Sequence, residues 1–197
     1  MQTLSLNITA QGRLAVVVGG GPVALRKVRT LLAAGVTVRI VAIKILPELA
    51  ALAEKRGLLV RYSAYCSSDL DNAFLVIAAT NVSELNQLIA EDAVARGILV
   101  AVTDNPAYGN CTFPALLRRG DLEIAVSTGG RCPAVAAVVR DTIASMIGNE
   151  YGQILEQLSQ EREKLLTDGD SSTYNALVLR SRAVQLINEL TERKDIE

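Results

Sequence analysis

The sequence predicts an α/β protein with a doubly wound parallel sheet, followed by a small α+β region and a helical segment at the C-terminal end. Five short apolar runs between residues 14 and 102 consist mainly of Val, Ile, Leu and Ala and lack polar alternation, which is typical of strands covered on both faces. In the segments between them, apolar residues recur at the spacing of three and four positions that is typical of helices. Half of the 197 residues are hydrophobic and 4% are aromatic, which favours an aliphatic α/β core over disorder.

Each predicted element is bounded by a local signal. Pro22 suits the first position of a helix, Gly35 suits a helix end, and Ser83 is placed to cap a helix. Alternating apolar residues at positions 4, 6 and 8 predict a short edge strand or an arm ahead of the sheet. A short turn of helix is expected around residues 69–70. The predicted strands are residues 14–18, 36–42, 58–62, 74–79 and 98–102, and the predicted helices are residues 22–35, 47–56 and 83–96.

The pattern changes after residue 113. Residues 113–126 read as a hairpin-like strand pair, and residues 134–147 form a helix with one apolar side. Two amphipathic helices are predicted at about 151–167 and 173–193, with apolar stripes of the kind that pack on each other or on a partner subunit. We therefore predict three regions, namely residues 1–113, 114–147 and 148–197.

A glycine motif follows the first strand and opens the first helix. Gly19-x-Gly21-x-x-Ala24 fits the dinucleotide fingerprint of the Rossmann fold, in which the first glycine permits a tight turn and the second lets a pyrophosphate approach the backbone. The helix N-terminus adds unpaired N–H groups and a partial positive charge. We predict that Gly19, Gly21, Pro22, Val23 and Ala24 bind the cofactor. The alternative is a glycine-rich turn that binds nothing.

One part of the fingerprint is missing. An Asp or Glu about 20 residues beyond the glycines usually binds the adenosine ribose. The second strand instead ends in Ile43 and Lys44, so the ribose is held by backbone groups or Lys44 favours a 2′-phosphate. The residues alone therefore leave the choice between NAD and NADP open.

Polar residues follow two further strands of the predicted sheet. Ligands of such sheets bind outside the carboxyl ends of the strands, where the glycine turn, Thr80-Asn81 and Asp104-Asn105 are expected to converge. Thr80 and Asn81 either bind the cofactor or cap the next helix. Asp104 is either a catalytic carboxylate near the nicotinamide or part of an Asp-Asn-Pro turn.

The composition excludes several classes of function. The chain has no histidine, so acid–base chemistry near neutral pH falls to carboxylates, Cys, Lys, Tyr or the substrate. The net charge of −1 gives no general attraction to nucleic acid or to a membrane surface, and no apolar run reaches the roughly 18 residues of a membrane span. Three widely spaced cysteines argue against a disulfide framework or a cysteine metal site, and we expect a cytoplasmic protein.

The second region contains another glycine loop and several arginines. Ser127, Thr128 and Arg131 precede a helix, so this loop is either a second anion site or a turn with a cap. The neighbouring arginines lack an equal number of acids, and they form either a solvated face or a rim that binds a polycarboxylate. These arginines are Arg118, Arg119, Arg131 and Arg140.

Several segments together resemble one family. They are similar, in the same order, to the precorrin-2 dehydrogenase and sirohydrochlorin ferrochelatase family, which includes the N-terminal domain of siroheme synthase. The resemblance extends over about residues 1–150. The segments are GGGPVALRKVRTLLAAG at 19–35, FLVIAAT at 74–80, VTDNP at 102–106, FPALLRRGDLEIAVSTGG at 113–130 and the following Pro133.

The resemblance implies NAD-dependent oxidation of precorrin-2, a tetrapyrrole, to sirohydrochlorin by a homodimer. Residues 1–113 would form the Rossmann domain, 114–147 the dimerisation region and 148–197 a helical domain. Asp104 would be catalytic, and NAD is favoured over NADP because the family tolerates the missing acidic ribose ligand. The substrate-binding residues implied in this way are Asn105, Arg118, Thr128, Gly129, Gly130 and Arg131.

Some alternatives stay open at this point. The resemblance leaves undecided whether the chain also inserts Fe²⁺ or Co²⁺ into sirohydrochlorin. A chelatase with a vestigial Rossmann site is disfavoured by the intact glycine motif, and a non-catalytic NAD sensor leaves Asp104 without a purpose. Two departures from the family lie near the expected tetrapyrrole site. Residues 107–112 contain Cys-Thr where relatives are more apolar, and Cys132 stands where relatives commonly have serine.

Overall fold

The computed structural model describes residues 3–167 and 172–194, and the chain divides into two compact units, Met1–Phe113 and Pro114–Glu197. In the first unit, five parallel strands form one sheet in the order β3-β2-β1-β4-β5, which confirms the predicted doubly wound architecture. The strands are β1 (Leu14–Val18), β2 (Thr37–Val41), β3 (Leu59–Arg61), β4 (Leu75–Ala78) and β5 (Leu99–Val102). The helices are α1 (Pro22–Ala33), α2 (Pro47–Arg56) and α3 (Ser83–Ala95), with short 3₁₀ helices at Ser67–Leu70 and Pro106–Tyr108.

The sheet has an apolar core on each face. Successive residues of β1 point to opposite faces, and Val16 and Val17 belong to separate buried clusters, each with an exposed fraction of 0%. Burying such a side chain contributes about 1.5–3 kcal/mol relative to leaving it exposed. The unbroken apolar runs that predicted these strands are therefore explained by coverage on both faces.

The strand order creates a crevice at one edge of the sheet. From β1 the chain passes outward through β2 to β3, and it then returns to β4 on the other side of β1. The order reverses between β1 and β4, and ligands of open α/β sheets bind outside the carboxyl ends of the strands at such a point. The crevice lies beyond Val18 and Ala78.

The free edge of β5 is covered by the segment that follows it. The Asn110 side chain accepts a 2.7 Å hydrogen bond from Val100 N–H and donates a 3.0 Å hydrogen bond to the Ile98 carbonyl. The backbone N–H groups of Asn110 and Cys111 donate to the Val100 carbonyl at 3.0 and 3.2 Å. These bonds replace a sixth strand and protect the edge from pairing with another chain.

Of two local predictions for the first unit, one is confirmed in its second alternative and the other is wrong. Residues 3–10 form no strand, and Leu4, Leu6 and Ile8 are exposed by 82%, 68% and 50%, so the segment is an arm. Ser83 is the first residue of α3 and not its cap, since the cap position is Val82, which makes no side-chain capping bond.

The second unit is a hairpin followed by three helices. Strands β6 (Ala115–Arg119) and β7 (Leu122–Val126) pair antiparallel and precede α4 (Pro133–Met146), α5 (Glu150–Thr167) and α6 (Ser172–Lys194). Helix α5 packs against α6. The division into a dimerisation region and a separate helical domain stays a prediction. No helix within the described ranges has the length and apolar character needed to cross a membrane.

Helix α4 leaves its apolar side uncovered. In this helix only Ala136 is buried, whereas Val135, Val138 and Met146 are exposed by 51%, 65% and 67%. Large contiguous apolar patches of this kind are rare on the surfaces of monomeric proteins.

Candidate nucleotide-binding and catalytic site

The turn after β1 is fixed by close approaches of its backbone to other strand ends. Gly19 has a φ of +130°, and a Cβ atom built on it would collide with the carbonyl group of Ala79, just after β4. A Cβ atom on Gly20 would collide with the carbonyl oxygen of Lys44. The Gly20 carbonyl also accepts a 2.8 Å hydrogen bond from Leu46 N–H. Both glycines are required because no side chain fits at either position.

Gly21 differs, because it faces open space. A Cβ atom built there has no heavy atom within 4 Å among the described residues, apart from its chain neighbours. Gly21 is the N-cap of α1, and its carbonyl accepts the first helical hydrogen bond from Leu25 N–H at 3.0 Å. The N–H groups of Val23 and Ala24 therefore have no acceptor within the helix. Open backbone, free donors and the positive helix end fit a pyrophosphate.

Ile43 and Lys44 follow β2 at the same edge of the sheet. Ile43 is 69% exposed, and Lys44 is also exposed. Neither residue is a carboxylate that would hydrogen-bond ribose hydroxyl groups. The strand end instead offers an apolar side chain and a positive charge, with Lys44 fixed at its backbone by the contact with Gly20.

Thr80 directs the chain from β4 into α3. Its hydroxyl accepts a 3.2 Å hydrogen bond from Val82 N–H and donates a 2.7 Å hydrogen bond to the Asn86 side-chain oxygen. These bonds hold the turn ahead of α3 but do not cap the helix, whose cap position is Val82, and contact of Thr80 with a cofactor stays a prediction. Asn81 is exposed beside it.

Asn86 joins the ends of β4 and β5. It is completely buried, and its Nδ2 donates hydrogen bonds to the Thr80 carbonyl at 3.1 Å and to Asp104 Oδ1 at 2.9 Å. Its Oδ1 accepts from Thr80 N–H at 3.1 Å and from the Thr80 hydroxyl at 2.7 Å. One buried amide thus connects the turn after β4 with the carboxylate after β5.

Asp104 is an exposed carboxylate with a fixed set of donors. Desolvation tends to raise its pKa, but hydrogen bonds from the Ser83 and Asn86 side chains and from the backbone N–H groups of Asp104 and Asn105 outweigh it. The pKa of Asp104 consequently lies below the usual range of an aspartate, and the group is ionised at neutral pH. Asn105 accepts a 3.1 Å hydrogen bond from Ala107 N–H and caps the following 3₁₀ helix.

In the second unit, the loop before α4 is stabilised by its own side chains. Thr128 Oγ1 accepts a 3.2 Å hydrogen bond from Cys132 N–H, and the Ser127 hydroxyl accepts one from Gly129 N–H at 3.2 Å. Gly129 and Gly130 have φ values of +60° and +78°, a conformation that side chains rarely adopt. The turn predicted for this loop is present, and anion binding stays a prediction.

Most of the arginines predicted as a polycarboxylate rim have partners. Arg118 pairs with Glu123 across the hairpin at 2.7 Å, and Arg140 pairs with Asp141 at 2.6 Å. Arg119 donates to the carbonyls of Ile147 and Ala144, at 2.8 and 3.2 Å, so it caps the C-terminus of α4. Arg131 is exposed in the glycine loop.

Among the described residues, no group of three or more His, Cys, Asp and Glu side chains is arranged to hold a metal ion. The cysteines are free, with Cys66 and Cys132 exposed and Cys111 half-buried. The candidate site therefore consists of the glycine turn and the Thr80–Asn86–Asp104 hydrogen-bond network.

Two residues of this site were not predicted from the sequence. Asn86 lies at helical spacing with the buried residues Ile89, Ala90 and Ala93, so a polar residue on the inward face of α3 was the available signal. Gly20 had no such signal, because its restriction comes from a carbonyl 24 positions further along the chain.

Residues 6–115 match the sequence model of a family described as putative NAD(P)-binding, which is more than half of the chain. Residues 119–146 match a second model, described as sirohaem biosynthesis protein central. The chain belongs to this NAD(P)-binding family and is a relative of the siroheme synthases. The predicted resemblance is thereby confirmed, and the family confirms the prediction of a nicotinamide-nucleotide site.

Named relatives agree with this membership. The chain is 44% identical over 165 residues to the siroheme synthase of Ectopseudomonas mendocina (strain ymp), covering 84% of this chain and 35% of that protein. It is 44% identical over 137 residues to the siroheme synthase of Chromobacterium violaceum, covering 70% of this chain and 29% of that protein. The chain thus spans about a third of the length of the curated relatives it matches.

A solved structure has the same fold as this chain. SirC, precorrin-2 dehydrogenase, matches with a TM-score of 0.79 over 96% of this chain and 100% of its own, at 23% sequence identity. At this identity the likeness concerns the fold. It confirms the predicted combination of a parallel sheet, a small antiparallel sheet and C-terminal helices.

Proposed function

We propose that this chain is an NAD-dependent precorrin-2 dehydrogenase of siroheme biosynthesis, with sirohydrochlorin as its product. The observation that carries the proposal is the placement of an open glycine turn and an ionised Asp104 at the same edge of one sheet, in a relative of the siroheme synthases. The turn supplies a nucleotide site, and Asp104 supplies a charged acceptor for a substrate that loses a hydride and a proton. SirC, named as a precorrin-2 dehydrogenase, shares the fold.

The cofactor is held by the first unit. The backbone from Gly19 to Ala24 binds the pyrophosphate, and Ile43 and Lys44 lie against the adenosine. Thr80 and Asn81, which follow β4, contact the cofactor from the other side of the crevice. When bound, NAD supplies the hydride acceptor. NAD is preferred to NADP because Arg61, the arginine at the end of the neighbouring strand β3, is already bound to Asp69 and to the Ala64 carbonyl. Of these two cations, only Lys44 would be left to bind the 2′-phosphate of NADP.

Asp104 stabilises charge and accepts a proton. Loss of a hydride leaves positive charge on the tetrapyrrole, and a fixed carboxylate lowers the energy of that state. The low pKa of Asp104 suits a negative charge that persists at neutral pH, and its exposure lets the released proton pass to water. With no histidine in the chain, a carboxylate is the natural group for this step.

Substrate binding is assigned to Asn105, Arg118, Thr128, Gly129, Gly130 and Arg131. Among these, Arg131 is the strongest candidate for a substrate carboxylate, because Arg118 already pairs with Glu123. Arg131→Ala should therefore raise KM for the tetrapyrrole several-fold more than Arg118→Ala does. An equal effect of the two substitutions would contradict this assignment.

The active form is proposed to be a homodimer formed through the exposed apolar side of α4. Val138 is 65% exposed on that side, and Val138→Lys would place a charge in the interface. Sedimentation should show a dimer for the unaltered chain and a monomer for the variant. The three free cysteines support a reducing cytoplasm as its location.

An anaerobic assay with purified protein, precorrin-2 and NAD tests the proposal. NADH absorbance and the sirohydrochlorin spectrum should rise together, and Asp104→Asn should lose most turnover while retaining NAD binding. Tight NAD binding by calorimetry without turnover of precorrin-2 would instead favour an NAD-sensing module. Adding Co²⁺ or Fe²⁺ to the product in the same cuvette tests chelation, in which the metal ion is a substrate.

A further inference from the structure

We infer that Asn86 is a positioning residue, whose side-chain amide fixes the Asp104 carboxylate at the mouth of the crevice and couples it to the Thr80 turn. This inference rests on the proposed function, because it concerns the residue assigned to proton acceptance. Neither the glycine fingerprint nor the strand-end residues required an asparagine at this position. Its role follows from burial and hydrogen bonding.

The hydrogen bonds allow a single orientation of the Asn86 amide. Nδ2 faces two acceptors, the Thr80 carbonyl and Asp104 Oδ1, at 3.1 and 2.9 Å. Oδ1 faces two donors, the N–H and the hydroxyl of Thr80, at 3.1 and 2.7 Å. A flipped amide would set oxygen against oxygen on one side and nitrogen against N–H on the other. Because the residue is completely buried, water cannot replace these partners, and the amide holds Asp104 as firmly as it holds Thr80.

The contact also contributes to the lowered pKa of Asp104. The groups acting on its pKa are the Ser83 hydroxyl, the Asn86 amide and nearby backbone N–H groups, which together outweigh desolvation. Glu84 follows Ser83 on α3, and Tyr108 belongs to the 3₁₀ helix after Asp104, so both adjoining elements also carry an ionisable side chain. The segments 19–21 and 79–81 carry no ionisable side chain. Replacing Nδ2 by an oxygen would place two carboxylates in contact, and such pairs share one proton.

The test compares two asparagine-to-aspartate variants of the full chain. Asn86→Asp removes the donor to Asp104, whereas Asn110→Asp, the control, makes the same substitution at an exposed residue and removes its side-chain donor to the Ile98 carbonyl. The Asp104 carboxyl is followed by carbon NMR titration and assigned with Asp104→Asn. Turnover is measured against pH with precorrin-2 and NAD, and NAD affinity is measured by calorimetry.

Asn86→Asp should raise the pKa of the Asp104 pair by more than about one pH unit and move the acidic limb of kcat upward by a similar amount. Asn110→Asp should lower the melting temperature without changing the pKa of Asp104 or the acidic limb of kcat. Asn86→Ser adds no charge, and it should return the pKa of Asp104 toward the ordinary value if Asn86→Asp does not fold. An Asp104 titration unchanged in Asn86→Asp and Asn86→Ser overturns the inference. Turnover by the unaltered chain decides the proposed function, so the two failures are distinguishable.

Discussion

The α-carbon of Gly20 packs directly against the carbonyl oxygen of Lys44, which leaves no room for a Cβ atom. The next residue, Gly21, faces open space. The two neighbouring glycines therefore have different functions. Gly20 joins the ends of β1 and β2, while Gly21 keeps the backbone accessible to a ligand at the N-terminus of α1.

Alanine substitutions should separate these two functions. Gly20→Ala should lower the free energy of unfolding by several kcal/mol, because the loop of residues 43–46 or the turn must move, and overpacking of this kind costs about 1–3 kcal/mol or more. Gly21→Ala should leave stability within about 1 kcal/mol and weaken NAD binding at least tenfold, which corresponds to about 1.4 kcal/mol. Urea unfolding and calorimetry measure the two effects. If Gly21→Ala bound NAD normally, the pyrophosphate would not lie at this turn.

The glycine turn shows how far the sequence predicts this fold. Gly19 and Gly21 were found from local spacing, and the parallel strands were found from unbroken Val, Ile, Leu and Ala runs, because both signals are contained within short segments. Gly20 and Asn110 are fixed by backbone groups of other strands. No local pattern carries that information, so such residues emerge only from the folded chain.

The candidate site was predicted in part for the same reason. The carboxyl ends of parallel strands meet at one edge of the sheet, so Asp104 and Thr80 were placed there from the strands that precede them. The alternating residues 4–8 had the period of a strand, yet they pair with no strand among the described residues and are exposed. Periodicity predicts which conformation suits a segment, whereas pairing depends on the rest of the chain.

Asp69 provides a test of stability against pH. It is 5% exposed, accepts hydrogen bonds from Arg61 and from Cys66 N–H, and these bonds outweigh desolvation and lower its pKa. A lowered carboxyl pKa contributes stability above the unfolded value of about 3.9, and this stability is lost as the pH falls through the folded value. Asp69→Asn should therefore destabilise the chain by about 1–3 kcal/mol at pH 7.

The matched control for this prediction is Asp71→Asn. Asp71 pairs with Arg96 at 2.8 Å, but its side chain is 61% exposed, so the substitution should cost less than about 1 kcal/mol. Urea unfolding at pH 7 and at pH 3 measures both variants. The deficit of Asp69→Asn should shrink at the lower pH, and a deficit that stayed constant would show that the ion pair is not its cause.

Asn110→Ala should expose the edge of the sheet. The substitution leaves Val100 N–H and the Ile98 carbonyl without their side-chain partners, which costs about 1–3 kcal/mol. Gln87→Ala is the control, because its amide bonds to Glu91 along one exposed helix face and is worth only about 0.2–0.5 kcal/mol. Thermal unfolding should separate the variants, and light scattering should show aggregation for Asn110→Ala alone. Equal melting temperatures would mean that backbone bonds suffice to hold residues 110–111 on β5.

Lys27 gives a second prediction about stability and pH, on the alkaline side. Its Nζ lies 3.9 Å from the centre of the Phe113 ring, and burial, assisted by Arg26, lowers its pKa to about 8. The folded chain therefore binds fewer protons than the unfolded chain between about pH 8 and 10.4, so this residue makes stability rise with pH across that window.

Lys27→Met, which keeps the apolar stem, should be more stable than the unaltered chain at pH 7 and lose this advantage by about pH 10.4. Lys55→Met, at an exposed position of α2, is the control for replacing a lysine by methionine. Urea unfolding of all three proteins across the window measures these differences. A Lys27→Met advantage independent of pH would show that the amine is hydrated and that the ring contact, not burial, sets its environment.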